Sequence, residues 1–145
     1  MRFECRAKVD GIDKWTYGSY YKFLPYTPYP VGGKVLEKDF KHLIIHAGFS
    51  DWGLPRNLAY EEILPETLCY STGLKSNKLE IYEHDLLEIP EFWEGDFRYP
   101  DGLYEVKWDT TGFILEHTKT HDYISDWETI ASDCEIVGNI FDKNK

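Results

Sequence analysis

The sequence predicts a small, mainly β protein with minor α content, and three observations support this. Aromatic residues make up 17% of the 145-residue chain and hydrophobic residues 42%, a composition typical of a globular protein. Short segments rich in β-branched and aromatic residues alternate with clusters of Gly, Pro, Asn and Asp. Long connections join these segments, and such strand sets usually close into a small barrel or roll because closure removes exposed edges.

In the first half, residues 3–9 and 14–23 predict the two strands of a hairpin. Residues 24–33 contain three prolines and two glycines, so we expect irregular chain there, because proline lacks the donor that a ladder requires. The apolar run HLIIHAGF predicts a buried strand at residues 42–46. Residues 50–66 predict a loop with at most one helical turn.

In the second half, TLCYS predicts a strand, TGLKSNK a turn and EIYEHDLLEI another strand. Residues 90–102 predict a polar loop with aromatic anchors. The segments YEVKW and GFILEHT, joined by DTT, predict a hairpin with Tyr104, Val106 and Trp108 on one face. CEIVGNIF predicts a closing strand in which Gly138 marks a bulge or a close backbone approach.

Residues 121–133 show the spacing of a short helix. The apolar residues recur at helical intervals, and Ser125 with Glu128 has the spacing of a capping box. Taken together, the elements predict an N-terminal β-hairpin region over residues 1–66, with a long irregular connection, and a C-terminal β roll over residues 67–145. The two regions form either separate parts or one compact unit.

Net charge is distributed unevenly along the chain. Nine Lys or Arg oppose nine Asp or Glu in residues 1–70, whereas seven oppose seventeen in residues 71–145, so the whole net charge of −10 lies in the second half. Because an acidic surface repels a polyanion, we expect no direct binding to nucleic acid. The acidic half is expected to be a solvated surface, a patch for a basic partner, or a mimic of the charge of DNA.

Targeting and redox signals are few. No run of about 18 apolar residues is present, and MRFECRAKVDG lacks the apolar centre of a signal peptide, so we expect a cytoplasmic protein without a membrane anchor. Cys5, Cys69 and Cys134 are far apart and form no C-x-x-C pair. We expect all three to be buried apolar residues.

Catalytic patterns are weak. Glu83, His84 and Asp85 are adjacent, but an extended chain would place His84 on the face opposite the two acids. A metal site using His84 and Asp85 would therefore need His117 or His121 as well. No nucleophile elbow or phosphate-binding loop is present. We expect no cofactor, no metal and no catalytic residue.

Aromatic residues are dense before Gly32. Part of this cluster is expected to be exposed as a binding or oligomer surface, because Tyr and Trp are enriched at interfaces. The candidate binding residues are Tyr20, Tyr21, Tyr26 and Tyr29.

Residues 63–89, ILPETLCYSTGLKSNKLEIYEHDLLEI, resemble the YopX family of phage and prophage proteins. Collinear similarities follow in YEVKWDTTGFIL and CEIVGNIFDKN, and the opening MRFECRAKVDGIDKWTYGSYYK is similar to the usual opening of the family. Residues 24–62 have no counterpart. The resemblance implies a mainly β protein with an SH3-like roll in the C-terminal half, and it implies no established activity.

Seven positions carry the family pattern and are interpreted as its structural signature: Thr72, Gly73, Leu74, Glu83, Asp85, Gly138 and Asn139. This sequence departs from the pattern in two places. The Asn-Gly turn of the family is replaced by a shorter SNKLE, which leaves Asn77 as the residue best able to adopt a positive φ. The family glycine between Glu83 and Asp85 is here His84, one of the few other residues tolerated at positive φ.

The leading hypothesis is therefore a non-catalytic phage or prophage accessory protein in the cytoplasm of a bacterial host. It would act as an acidic interaction module, expected to be a homo-oligomer, that binds a host or phage protein. The alternatives are a metal-dependent hydrolase built on His84 and Asp85, and an acidic DNA mimic that binds a DNA-binding protein.

Overall fold

A computed structural model describes residues 4–26, 33–47 and 58–142. In these ranges the chain forms β-strands and three short 3-10 segments without an α-helix, so the mainly β class is confirmed and the minor α content is limited to 3-10 turns. The chain divides into two compact units, Met1–Leu68 and Cys69–Lys145, whereas the sequence placed the boundary after residue 66. No helix in the described ranges is long and apolar enough to cross a membrane.

The first unit contains an antiparallel sheet of four strands in the order β4-β3-β2-β1. The strands are β1 (Cys5–Lys8), β2 (Trp15–Phe23), β3 (Lys41–Ala47) and β4 (Leu58–Glu62). The predicted hairpin of β1 with β2 and the predicted strand β3 are both present. A short 3-10 segment at Glu37–Asp39 precedes β3, and another at Pro65–Thr67 follows β4.

The sheet of the first unit curls, and the residues just after β1 and β4 pair through an isolated bridge that does not close the sheet. Val9 and Ile63 form an antiparallel bridge, Asp10 N–H donates to Glu62 O at 2.9 Å, and Leu64 N–H donates to Lys8 O at 2.9 Å. The concave side of the curl holds the core of this unit, which comprises Cys5, Ala7, Tyr20, Ile44, Ile63 and Leu68. The other side of the sheet therefore faces away from this core.

The prediction of a loop over residues 50–66 is wrong from residue 58 onwards. β4 pairs with β3 from Leu58 opposite Ala47 to Glu62 opposite Leu43. Its residues alternate between exposed and half-buried, but the apolar Leu58 and Tyr60 take exposed positions and Glu61 a half-buried one, so residue polarity does not mark the strand in the sequence. Of the irregular region predicted at residues 24–33, only positions 24–26 and 33 lie inside the described ranges, and these are irregular.

The second unit contains a five-stranded antiparallel sheet in the order β12-β11-β10-β7-β13 and two further hairpins, β5 with β6 and β8 with β9. Among the described strands no sheet closes on itself, so this unit is an open antiparallel structure and not a closed barrel. The strands are β5 (Cys69–Ser76), β6 (Leu79–Tyr82), β7 (Asp85–Ile89), β8 (Phe92–Glu94), β9 (Phe97–Tyr99), β10 (Gly102–Asp109), β11 (Gly112–His117), β12 (Tyr123–Ile124) and β13 (Glu135–Asn139).

The core of the second unit lies on one face of the five-stranded sheet. It comprises Ile81, Leu87, Ile89, Tyr104, Val106, Leu115, Ile124, Trp127, Ala131 and Cys134. The predicted hairpin of β10 with β11 is present, and Tyr104 and Val106 face this core, but the end-of-strand Trp108 is exposed. All three cysteines are buried thiols, as predicted.

Two sequence predictions in this unit are wrong. Residues 90–102 contain the hairpin of β8 with β9, closed at Gly95 with φ of 60° and held by stacking of Phe92 on Tyr99 at 4.7 Å. Cross-strand aromatic pairs of this kind stabilise a hairpin. The polar residues between them led to the prediction of a loop.

The predicted helix near residue 127 is also absent. Tyr123 and Ile124 form a strand, and only Ala131–Asp133 is a 3-10 turn. Trp127 is buried, and its Nε1–H donates to Phe113 O at 3.0 Å. The apolar residues at helical spacing therefore belong to a loop, which the buried indole of Trp127 holds against the core.

Candidate functional site

The signature turn around His84 interrupts what the sequence predicts as one strand. β6 ends at Tyr82 and β7 begins at Asp85, and His84 has a φ of 68°. Its N–H donates to Val106 O at 2.7 Å, and its carbonyl accepts Ile140 N–H at 3.2 Å. The positive φ confirms that His84 occupies a conformation in which glycine is favoured.

The side chain of His84 is held on three sides. Nδ1 donates to Glu105 Oε2 at 2.9 Å, and Nε2 lies 3.9 Å from Glu83 Oε2. The ring meets Phe141 edge to face, with 5.5 Å between centroids. The imidazole is therefore half-buried between two carboxylates and an aromatic ring.

Asp85 has a separate role in the same turn. It is buried, and its Oδ2 accepts Tyr82 N–H at 2.8 Å across the turn. His84 and Asp85 thus bind different partners. Within residues 4–26, 33–47 and 58–142 no three His, Cys, Asp or Glu side chains are placed to share a metal ion.

The other histidines proposed as ligands are also separate from this turn. His117 is buried, its Nδ1 accepts the N–H groups of Lys119 and Thr120 at 3.1 Å each, and its Nε2 donates to Asp101 O at 3.0 Å. Both ring nitrogens are therefore used in organising the turn after β11. His121 has an exposed side chain 3.7 Å from Glu116.

Thr72, Gly73 and Leu74 lie inside β5, so the turn predicted over residues 72–78 is limited to its end. Thr72 Oγ1 donates to Ile81 O at 2.7 Å and accepts Leu74 N–H at 3.1 Å. Gly73 has a φ of 79°, and the pairing with β6 shifts at this point. These residues form a bulge, a position where glycine is preferred.

The turn itself consists of Asn77 and Lys78, with φ of 49° and 70°. Two consecutive positive φ values are typical of a type I′ hairpin turn, whose twist matches that of the strands. The prediction of a positive φ at Asn77 is confirmed. The second positive φ, at Lys78, was not predicted.

Gly138 and Asn139 shape the end of β13. The predicted bulge is present between Ile136 and Gly138. No close approach accompanies it, because a Cβ on Gly138 would meet nothing within 4 Å among the described atoms. Asn139 Oδ1 accepts the N–H groups of Phe141 and Asp142 at 2.9 Å each, which directs Phe141 towards His84.

Among the tyrosines proposed as a binding surface, the described ones differ in exposure. Tyr20 packs on the core of the first unit, and its hydroxyl hydrogen-bonds His42 Nδ1 at 2.6 Å. Burial raises the pKa of Tyr20. Tyr21 and Tyr26 are exposed. Tyr29 lies outside the described residues.

Exposed aromatic residues gather instead on the convex side of the curled sheet. Strand pairing places Tyr21 beside Leu43 and places Ile45 beside Tyr60. On this side Tyr17 is 47% exposed, Tyr21 53%, Tyr60 68% and Leu58 81%. We call these four residues the outer aromatic face.

A cavity of about 330 Å³ opens on the outer aromatic face. Its walls include Tyr17, Ser19, Ile45, Ala47 and Leu58. At its base the backbones of β2 and β3 approach so closely that a Cβ on Gly18 would lie 2.2 Å from Ile45 O. Glu4 and His46 also line it, so this is a depression of mixed polarity beside exposed aromatic rings, and it can receive a side chain of a partner.

Sequence reasoning missed Tyr17, Leu58 and Tyr60. The signal for Tyr17 was present, because Tyr17, Tyr21 and Phe23 occupy odd positions of one strand and share a face. For Leu58 and Tyr60 no such signal existed, since their strand was not recognised.

Three comparisons with known proteins were made. A scan against protein-family models and searches of curated proteins and of solved structures found no match to this chain.

Proposed function

We propose that this chain is a non-catalytic phage or prophage accessory protein that acts as a protein-interaction module. The outer aromatic face is the observation that carries the proposal. Three exposed tyrosines and a leucine share this sheet face, and Tyr17 and Leu58 among them also line the cavity. Aromatic residues are enriched at protein interfaces.

The polar groups near the signature turn support a binding role over a catalytic one. His84 Nδ1 hydrogen-bonds Glu105, and the buried Asp85 carboxylate accepts a backbone N–H. Both groups stabilise the turn itself. The resemblance to the YopX family motivates the phage context and the bacterial cytoplasm as location.

The partner in this proposal is a host or phage protein that places apolar side chains against Tyr21 and Tyr60 and into the cavity. A homo-oligomer is also part of the proposal, because a second copy is one way to cover this face. Sedimentation of the purified protein at several concentrations measures that self-association directly.

The test is a comparison of partners recovered from a bacterial host with the wild type and with a Tyr21→Ser, Tyr60→Ser variant. Trp108→Ser is the matched control, because Trp108 is exposed to a similar degree but lies in the second unit. A protein retained by the wild type and the control and lost from the double variant supports the proposal. Retention by all three proteins, or turnover of a small molecule without any partner, overturns it.

A further inference from the structure

The outward face of the five-stranded sheet in the second unit carries four glutamates. Strand pairing places Glu135 opposite Glu88, and Glu116 opposite Glu105. Their sequence neighbours Leu87, Ile89, Tyr104, Val106 and Leu115 point into the core. We call the side with Glu88, Glu105, Glu116 and Glu135 the acidic outer face.

Charge on this face is only partly neutralised by the chain itself. Glu105 binds His84 at 2.9 Å, and Glu116 binds Lys107 at 2.7 Å. For Glu88 and Glu135, which are both exposed, no ion pair is found among the described side chains. Like charges directly opposite on a sheet are destabilising, so this pair persists at a cost to folding.

Apolar side chains lie among these carboxylates. Leu103 is the β10 partner of Glu88 and is 38% exposed, and Val137 at the bulge of β13 is 47% exposed. Tyr123 extends the same side beyond Glu116. This face therefore presents carboxylates and apolar groups side by side.

We propose that the acidic outer face is a docking surface for a cationic amphipathic segment of a partner protein. A Lys or Arg of that segment lies between Glu88 and Glu135, and its apolar residues cover Leu103 and Val137. Charge complementarity selects this occupant, because the whole net charge of −10 falls in residues 71–145. Apolar groups that cover the partner's Lys or Arg exclude water, and this strengthens its attraction to the carboxylates of Glu88 and Glu135.

Two fluorescent peptides of equal length and charge provide the test, one with Lys and Leu at alternating positions and one with Lys and Ser. Fluorescence anisotropy measures the affinity of each peptide, and about 0.15 M salt in the buffer screens long-range electrostatic attraction. The wild type is expected to bind the Lys and Leu peptide about tenfold more tightly than the Lys and Ser peptide. The double variant Glu88→Gln, Glu135→Gln is expected to lose binding of the Lys and Leu peptide.

Glu66→Gln with Glu128→Gln is the matched control, since it removes the same charge at exposed positions elsewhere. This control is expected to bind as the wild type does, and the Glu88→Gln, Glu135→Gln variant is expected to melt at the same or a higher temperature, because like-charge repulsion is removed. Equal affinity for both peptides, equal losses in both double variants, or unchanged binding by Glu88→Gln with Glu135→Gln overturns the proposal. These outcomes leave the outer aromatic face, and so the proposed function, untouched.

Discussion

Gly102 lies so close to the imidazole of His117 that a Cβ atom on Gly102 would be 2.8 Å from Nε2 of His117. The φ of Gly102 is 133°, a backbone region reserved for glycine. The ring cannot easily retreat, because both of its nitrogens are hydrogen-bonded.

Gly102→Ala is therefore expected to lower the free energy of unfolding by about 1–3 kcal/mol, from backbone strain and the clash together. Gly112→Ala is the control, since Gly112 has a φ of 151° and an added Cβ there would meet nothing within 4 Å. Urea unfolding measures both variants. Equal losses would show that His117 contributes no steric constraint.

His84 offers a second test, because its φ of 68° reverses the usual preference for alanine over glycine. His84→Ala and His84→Gly both remove the contacts with Glu105 and Phe141. At ordinary strand positions glycine is about 0.5–1 kcal/mol less stable than alanine. Here His84→Gly is expected to be the more stable variant by about 1 kcal/mol, since only glycine avoids the left-handed penalty. Greater stability of His84→Ala in urea unfolding would contradict the assigned backbone.

Glu61 is expected to contribute to the free energy of unfolding in a way that depends on pH. The Thr16 hydroxyl, which donates to Glu61 Oε1 at 2.8 Å, and then His46 hold the pKa of Glu61 below its usual 4.5. A carboxyl with a lowered folded-state pKa stabilises the protein above its unfolded pKa, and this stabilisation is lost as the pH falls through the folded value.

The difference in unfolding free energy between the wild type and Thr16→Val should thus be largest near neutral pH and shrink below about pH 4.5. Thr72→Val is the control, because the Thr72 hydroxyl donates to the uncharged Ile81 carbonyl. Denaturant titrations between about pH 7 and 3 provide the measurement. A Thr16→Val difference that stays constant over this range would refute the assignment.

The buried thiols predict low chemical reactivity. Burial raises the pKa of Cys134 to about 11, and Cys5 and Cys69 are also buried. Because the thiolate is the reactive form, all three thiols are expected to react with a disulfide reagent at pH 8 only as the protein unfolds. Mass spectrometry after timed labelling, with and without urea, counts the modified thiols. Rapid labelling of a thiol in the native protein would contradict its assigned burial.

Local sequence patterns predicted much of the β structure. The hairpin of β10 with β11 and the bulge at Gly138 follow from alternating residues and from turn chemistry, which act over a few neighbouring positions. The positive φ of Asn77 follows for the same reason. By contrast, the short hairpin of β8 with β9 depends on stacking between Phe92 and Tyr99, a contact that polar neighbours conceal.

The exposure of the candidate binding residues was predicted less well than the strands. Tyr20 and Tyr21 are adjacent, and a strand sends one inward to His42 and the other outward, so density of tyrosine does not reveal exposure. Tyr60 and Leu58 join the outer aromatic face only because β4 pairs with β3.

The sequence by itself determined the β class, the burial of the cysteines and the concentration of negative charge in residues 71–145, since these depend on composition and on neighbouring residues. The tertiary structure alone decided that His84 sits in a turn bonded to Glu105 and that Glu88 opposes Glu135. Strand register sets both relationships, and it is fixed by packing between residues distant in sequence, so no local pattern encodes it.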